Sequence, residues 1–230
     1  MDYLLDALAA AFRLIVSLDG DVYFVVWTSL YISAAACLLA AVAGVPLGLA
    51  IALRRFRGRQ AVLLVLNTLM ALPTVVVGLF LYAFLSRRGP LGALGLLYTP
   101  GGIVLGEFLL ALPIVANLTV SAVNGLDRRL VLTCRSLGAS PGQQSWTILR
   151  EGRFAVTAAV VAGFGRVIGE VGIAMMIGGN IAGFTRTMTT AIALETSKGE
   201  FELGLALGIL LLLVALVVNA ALQRLQRSPR

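Results

Sequence analysis

Residues 125–154 read GLDRRLVLTCRSLGASPGQQSWTILREGRF. The stretch carries five arginines and is too polar to cross a bilayer. Yet Leu126, Leu130, Leu137, Trp146, Ile148 and Leu149 recur at spacings that suit short amphipathic helices. Gly138 and the triplet Ser140-Pro141-Gly142 interrupt the pattern. Ser140 is placed to cap a helix that Pro141 begins, since its hydroxyl can accept an orphan N–H and proline needs none in the first turn. The spacing predicts helix, tight turn and a short rigid helix over roughly 138–146. Such an element rests on lipid headgroups or docks a soluble partner. Gly138, Pro141 and the polar run Gln143-Gln144-Ser145 favour docking.

On both sides of this loop the chain is apolar. Of its 230 residues 59% are apolar and 13% charged, and the mean hydropathy is +0.96. A soluble domain holds about 45–50% apolar and about 25% charged residues, so lipid must cover the excess. Five segments reach the ~20 residues a membrane helix needs: 22–53 with Pro46, 61–85 with Pro73, 102–123 with Pro113, 154–182, and 203–222. The three prolines are expected to bend their helices. Residues 3–18 are shorter and carry Asp6 and Arg13, which suits a helix lying at the interface. They lack the positive start of a cleaved signal. The expected fold is all-α and integral to the membrane, with about five transmembrane helices. Its parts are an interfacial helix over 1–21, a transmembrane domain over 22–222 containing the loop 124–153, and a basic tail over 223–230.

Charge supplies the direction. Regions 54–59, 124–153 and 223–230 hold twelve of the eighteen basic residues, with Asp127 and Glu151 as their only acids. The alternate regions hold most of the acids. Under the positive-inside rule the N-terminus is outside, and the loop and C-terminus are cytoplasmic. Net charge is +7, but arginine in short loops between spans is a topology signal and not a nucleic-acid face. Without histidine there is no histidine-based metal site or Ser-His-Asp nucleophile. Cys37 and Cys134 have no metal or disulfide spacing. No G-x-x-x-x-G-K-[ST] phosphate loop occurs.

The loop resembles the cytoplasmic E-A-A-x-x-x-G, nine residues, I-x-L-P pattern of bacterial ABC importer permeases. Leu132-Thr133-Cys134 stand in the first three places, Gly138 at the glycine, then Ala139-Ser140-Pro141, with Ile148 nine residues on. The opening glutamate and closing Leu-Pro are absent. Further along, Gly165-Arg166, Glu170-Val171-Gly172, Met175-Met176, Gly178-Gly179-Asn180-Ile181, Thr185-Arg186-Thr187-Met188-Thr189-Thr190 and Glu195-Thr196-Ser197-Lys198-Gly199-Glu200 resemble the tungstate branch of the molybdate, tungstate and sulfate permeases. The resemblance implies a type I importer permease. It implies a homodimer with the substrate path between subunits and a coupling helix seated in a separate ATPase that holds the ATP and Mg. It also implies an extracytoplasmic oxyanion-binding protein, and no cofactor or metal on this chain. Arg135, Gly138, Ala139, Ser140, Pro141, Gln144 and Ile148 are the expected ATPase-coupling residues. Molybdate, sulfate or another small solute such as an amino acid is the alternative cargo.

Three ionisable groups fall inside spans: Glu107, Arg166 and Glu170. Each costs at least about 2.5–3.5 kcal/mol in hydrocarbon if unpaired. Arg166 and Glu170, four apart, share a helix face and can pair. The pair either holds the helix in place or offers Arg166 to a passing oxyanion, which a planar guanidinium suits. Glu107 either compensates a positive charge on the third helix or repels the wrong ion. Gly178-Gly179-Asn180 permits close helix approach or an irregular turn lining a cavity. Thr185, Arg186 and Thr187 belong either to a solvated loop or to a re-entrant piece facing the path.

Overall fold

Apolar runs this long fold as helices because lipid offers no partner for backbone N–H and C=O groups. The computed structural model describes residues 20–54 and 56–226 continuously, with residues 5, 8–10, 12, 13 and 16 before them. The expected interfacial helix over 1–21 and the tail over 223–230 lie largely outside the described residues. Helix α1 spans Gly20–Leu53, α2 Arg59–Met70, α3 Thr74–Leu85 and α4 Pro100–Asn124. They are followed by α5 Arg128–Ser136, α6 Pro141–Glu151, α7 Arg153–Ile168, α8 Gly172–Gly178, α9 Met188–Lys198 and α10 Phe201–Gln226. Three of these, α1, α4 and residues 201–221 of α10, are long and apolar enough to cross a membrane unaided. The pairs α2–α3 and α7–α8 become spans four and five if each is taken as one broken crossing.

The two breaks refine the expectation of continuous spans. Pro73 does more than bend its segment: α2 stops at Met70, and α3 leaves it at 98°. Proline lacks the N–H the helix would use and pushes Leu72 out of helical conformation. Pro73 sits extended (φ −62°, ψ 126°) and serves as the N-cap of α3. Pro46 and Pro113, by contrast, lie inside unbroken helices. The fourth segment breaks at Gly169-Glu170-Val171, and α8 turns 61° from α7.

Helices α1 and α4 form the central pair, with α7 packed against both. Glycine sets the closeness of α1 and α4, because a Cβ on Gly48 would lie 2.6 Å from the Ala116 carbonyl oxygen and 2.7 Å from Thr119 Cβ. Gly48→Ala must therefore push the helices apart. We expect it to cost about 1–3 kcal/mol, read as earlier thermal unfolding of the detergent-extracted protein. Around this pair a buried cluster joins Ala40, Leu110, Ala111 and Val115 to Leu81 and Leu85 of α3, Val167 of α7, and Ile173 and Ile177 of α8. Helix α10 packs on α9 and α7. The two broken crossings meet at their breaks: a Cβ on Gly172 would lie 3.2 Å from Thr74 Oγ1 and 3.3 Å from Val75 Cγ2.

Candidate translocation path and coupling element

The expected coupling element is a helical hairpin built by its turn. Asp127 caps α5, its carboxylate accepting from the Arg129 N–H at 2.9 Å. The helix ends at Leu137, after which Gly138 turns the chain at φ +72°. Ser140 then caps α6 in a closed box. Its hydroxyl accepts from the Gln143 N–H (3.3 Å), and Gln143 Oε1 accepts from the Ser140 N–H (2.8 Å). The expected helix over 138–146 is corrected by this cap. Residues 138–140 are the turn, and the helix runs from Pro141, at its first position, to Glu151.

Ile148 turns inward and packs with Leu49 of α1 and Val123 of α4, tying α6 to the ends of the two central helices. The opposite face carries Leu137, 80% exposed, and Trp146, 68% exposed. These two bulky apolar groups flank the turn and were absent from the expected coupling set, although their size beside Gly138 was visible. Arg135 lies exposed in the last turn of α5. Pro141 is exposed and Ala139 half-buried, and Gln144 Nε2 is buried without a hydrogen-bond partner among the described residues. Exposed apolar groups, an unspent donor and a rigid turn are the features expected of a docking surface. The anchor through Ile148 ties this hairpin to α1 and α4.

The expected path residues fall into two groups joined by hydroxyls. In the first, Arg166 Nη1 donates to Glu170 Oε2 at 2.9 Å. Glu170 is buried at 4% exposure, while the Arg166 side chain is 40% exposed. Glu170 Oε1 also accepts from the N–H groups of Gly172 (2.9 Å) and Ile173 (3.4 Å). One carboxylate thus holds both sides of the α7–α8 break. Its three donors offset the cost of burial, and the guanidinium keeps an open face.

The second group lies at the far end of α8. Gly179 and Asn180 both have positive φ, 70° and 52°, which turns the chain back. Thr185 Oγ1 donates to the Gly178 carbonyl (2.6 Å) and accepts from the Ile181 N–H (3.0 Å). Arg186 Nε donates to Asn180 Oδ1 at 3.2 Å. Thr185, Thr187, Thr189 and Thr190 are buried, so the segment is not a solvated loop. Thr187 caps α9 in a capping box with Thr190. Thr189 Oγ1 donates to the Glu170 carbonyl (2.7 Å) and lies 3.0 Å from Thr187 Oγ1, which connects the two groups. Ser29 of α1 accepts from the Met188 N–H at 2.7 Å and brings α9 to the central pair. Ser29 was not singled out from sequence, because a hydroxyl within an apolar run is too common to stand out.

Glu107 is 2% exposed in α4. The Ser33 hydroxyl of α1 lies beside its carboxyl, and Oε2 has no partner among the described residues. It forms no ion pair among the described residues.

The fold is shared with a chain of the MetNI methionine ABC transporter solved in an inward-facing conformation: TM-score 0.78, 17% identity, covering 92% of this chain and 97% of that one. In sequence, the chain is 40% identical to the tungstate uptake system permease protein TupB of Campylobacter jejuni over 228 residues, 99% of this chain and 95% of that protein. It is 38% identical to TupB of Peptoclostridium acidaminophilum, covering 99% and 100%. The family of binding-protein-dependent transport system inner membrane components matches residues 44–230. That match takes in the Gly138 hairpin, both helix breaks and the threonine cap, and the chain belongs to that family of transport permeases.

Proposed function

We propose that this chain is the permease subunit of an ATP-driven importer for a tungstate-type oxyanion. The observation that carries the cargo is near-full-length similarity to two tungstate uptake permeases. The half-exposed Arg166 guanidinium beside Glu170 supports it, since a held, permanently charged donor attracts a dianion weakly enough to let it leave. In this reading two copies of the chain enclose the path. A separate ATPase, carrying ATP and Mg, takes the Leu137–Trp146 face of each coupling hairpin. An extracytoplasmic binding protein delivers the anion to the side of Asn180 and Arg186. The basic loops set the N-terminus outside and the C-terminus in the cytoplasm.

ATP hydrolysis by the complete complex in lipid vesicles tests the reading. We expect binding protein loaded with tungstate to stimulate hydrolysis several-fold over unloaded protein, with molybdate, of like charge and shape, close behind. Stimulation by an amino acid and by neither oxyanion would replace the cargo assignment while leaving the permease assignment standing.

A further inference from the structure

The two broken crossings meet at Gly172 and Thr74, and from that joint α2 and α7 turn away by 98° and 61°. Both return toward the basic loops. Arg166 stands on α7 six residues before Gly172. On α2, seven residues before Thr74, stands a second polar group inside an apolar crossing. Asn117 Nδ2 of α4 donates to Asn67 Oδ1 at 2.6 Å and to Met70 Sδ at 3.3 Å. Asn117 lies seven residues before the end of α4, about 10 Å at 1.5 Å per residue, so the group is on the coupling-hairpin side of the joint.

The orientation of these amides follows from chemistry. A thioether sulfur only accepts, so the edge of Asn117 facing Met70 must be its amino group. Both Asn117 N–H bonds are then used, one on the sulfur and one on Asn67 Oδ1. Asn67 has thereby spent its acceptor. Asn67 is exposed, and its own amino group makes no hydrogen bond among the described residues. Two free N–H donors at a membrane crossing are costly against lipid and well used against water or an anion.

We propose that the Asn67 carboxamide is a neutral donor station for the oxyanion on the exit side of the joint, with Asn117 and Met70 holding its donors outward. This rests on the oxyanion reading above. An uncharged donor pair hydrogen-bonds the anion's oxygens without the deep well a second guanidinium would create, and exit requires shallow sites.

The test uses initial rates of tungstate and molybdate transport by the complete complex in lipid vesicles. Asn67→Asp is the decisive variant. It keeps the oxygen that accepts from Asn117, so the local contact survives, but replaces both outward donors by an oxyanion-repelling oxygen. We expect transport to fall about tenfold or more, Asn67→Ala to lose roughly two- to fivefold, and Asn67→Thr, which restores one donor, to recover part of the Ala loss. Asn67→Asp transporting at the wild-type rate would overturn the station. So would equal losses in all three variants with poor assembly of the complex, which would mark Asn67 as a packing residue. If the wild-type complex carries neither oxyanion but another solute, the cargo reading fails instead. That outcome is separate, because it is read on the unmutated protein.

Discussion

Gly138→Val is expected to abolish uptake, to below about a twentieth of the wild-type rate, while the protein still inserts and is extracted in normal amount. The reason is conformational and not steric crowding. Gly138 sits at φ +72°, and a Cβ there would have nothing within 4 Å. A left-handed backbone costs a residue with a Cβ roughly 1–2 kcal/mol, and a β-branched one more. The cheapest relief is to abandon the turn. That would break the box in which Ser140 and Gln143 cap α6 and swing Trp146 relative to Leu137. The apolar pair would then no longer present one surface to the proposed ATPase. No membrane helix comes within 4 Å of a Cβ at this position, so insertion is spared. A graded series makes the argument exacting. Asn, which enters the left-handed region readily, should keep most activity, Ala should be intermediate, and Val should keep least. A series ordered by side-chain volume, with Asn worse than Ala, would show that space and not backbone hand is the constraint. Normal uptake and normal co-purification of the ATPase in Gly138→Val would remove the hairpin from coupling altogether.

This hairpin was also the most legible part of the sequence. Ser140, Pro141 and Gly138 each act within three or four residues, and local chemistry of that range is readable without knowing the fold. The apolar crossings were equally plain, because lipid imposes a length and a composition on any span. The breaks were harder. Pro46, Pro73 and Pro113 look alike in a string. Only Pro73 stops a helix, and the helix it opens is set against α8 at the joint. The turn at Gly179-Asn180 was half visible as a pair of glycines, but its partner hydroxyl, Thr185, lies across a loop. Least legible was the Asn67–Asn117 contact, between residues fifty apart whose meeting depends on how α2 folds back on α4. Long-range polar contacts inside a membrane domain follow from packing, and a single sequence carries little of that.

Glu170→Ala is expected to be the most damaging single change within the membrane. The carboxylate receives a guanidinium hydrogen and two backbone hydrogens, so its loss strands one buried and one half-buried N–H at the head of α8 and leaves Arg166 without its partner. Unsatisfied buried donors cost about 1–3 kcal/mol each. A loss of roughly 3–5 kcal/mol is expected, seen as sharply reduced yield and early thermal unfolding. Glu170→Gln separates the two roles of the side chain. Its oxygen still accepts from the backbone of α8, so folding should be largely kept, while the charge that holds Arg166 is gone. Arg166→Ala has the opposite profile. Glu170 retains its two backbone donors, and the guanidinium was 40% exposed, so screening trims the pair's contribution to stability. We expect a loss of about 1 kcal/mol, with transport falling far more than stability. The ordering for stability is thus Glu170→Ala worst, then Arg166→Ala and Glu170→Gln close together. For transport in the protein that does fold, Arg166→Ala should be the more severe of the last two, because only there is the positive charge removed from the proposed path. Arg166→Lys sharpens the distinction. It keeps a charge but loses the planar fork that bridges to the carboxylate, and partial transport with normal stability would place the function of Arg166 in its charge. If Arg166→Ala folds and transports like the wild type, the pair serves neither the joint nor the anion, and the α7–α8 break must be held by the backbone hydrogen bonds of Glu170 alone.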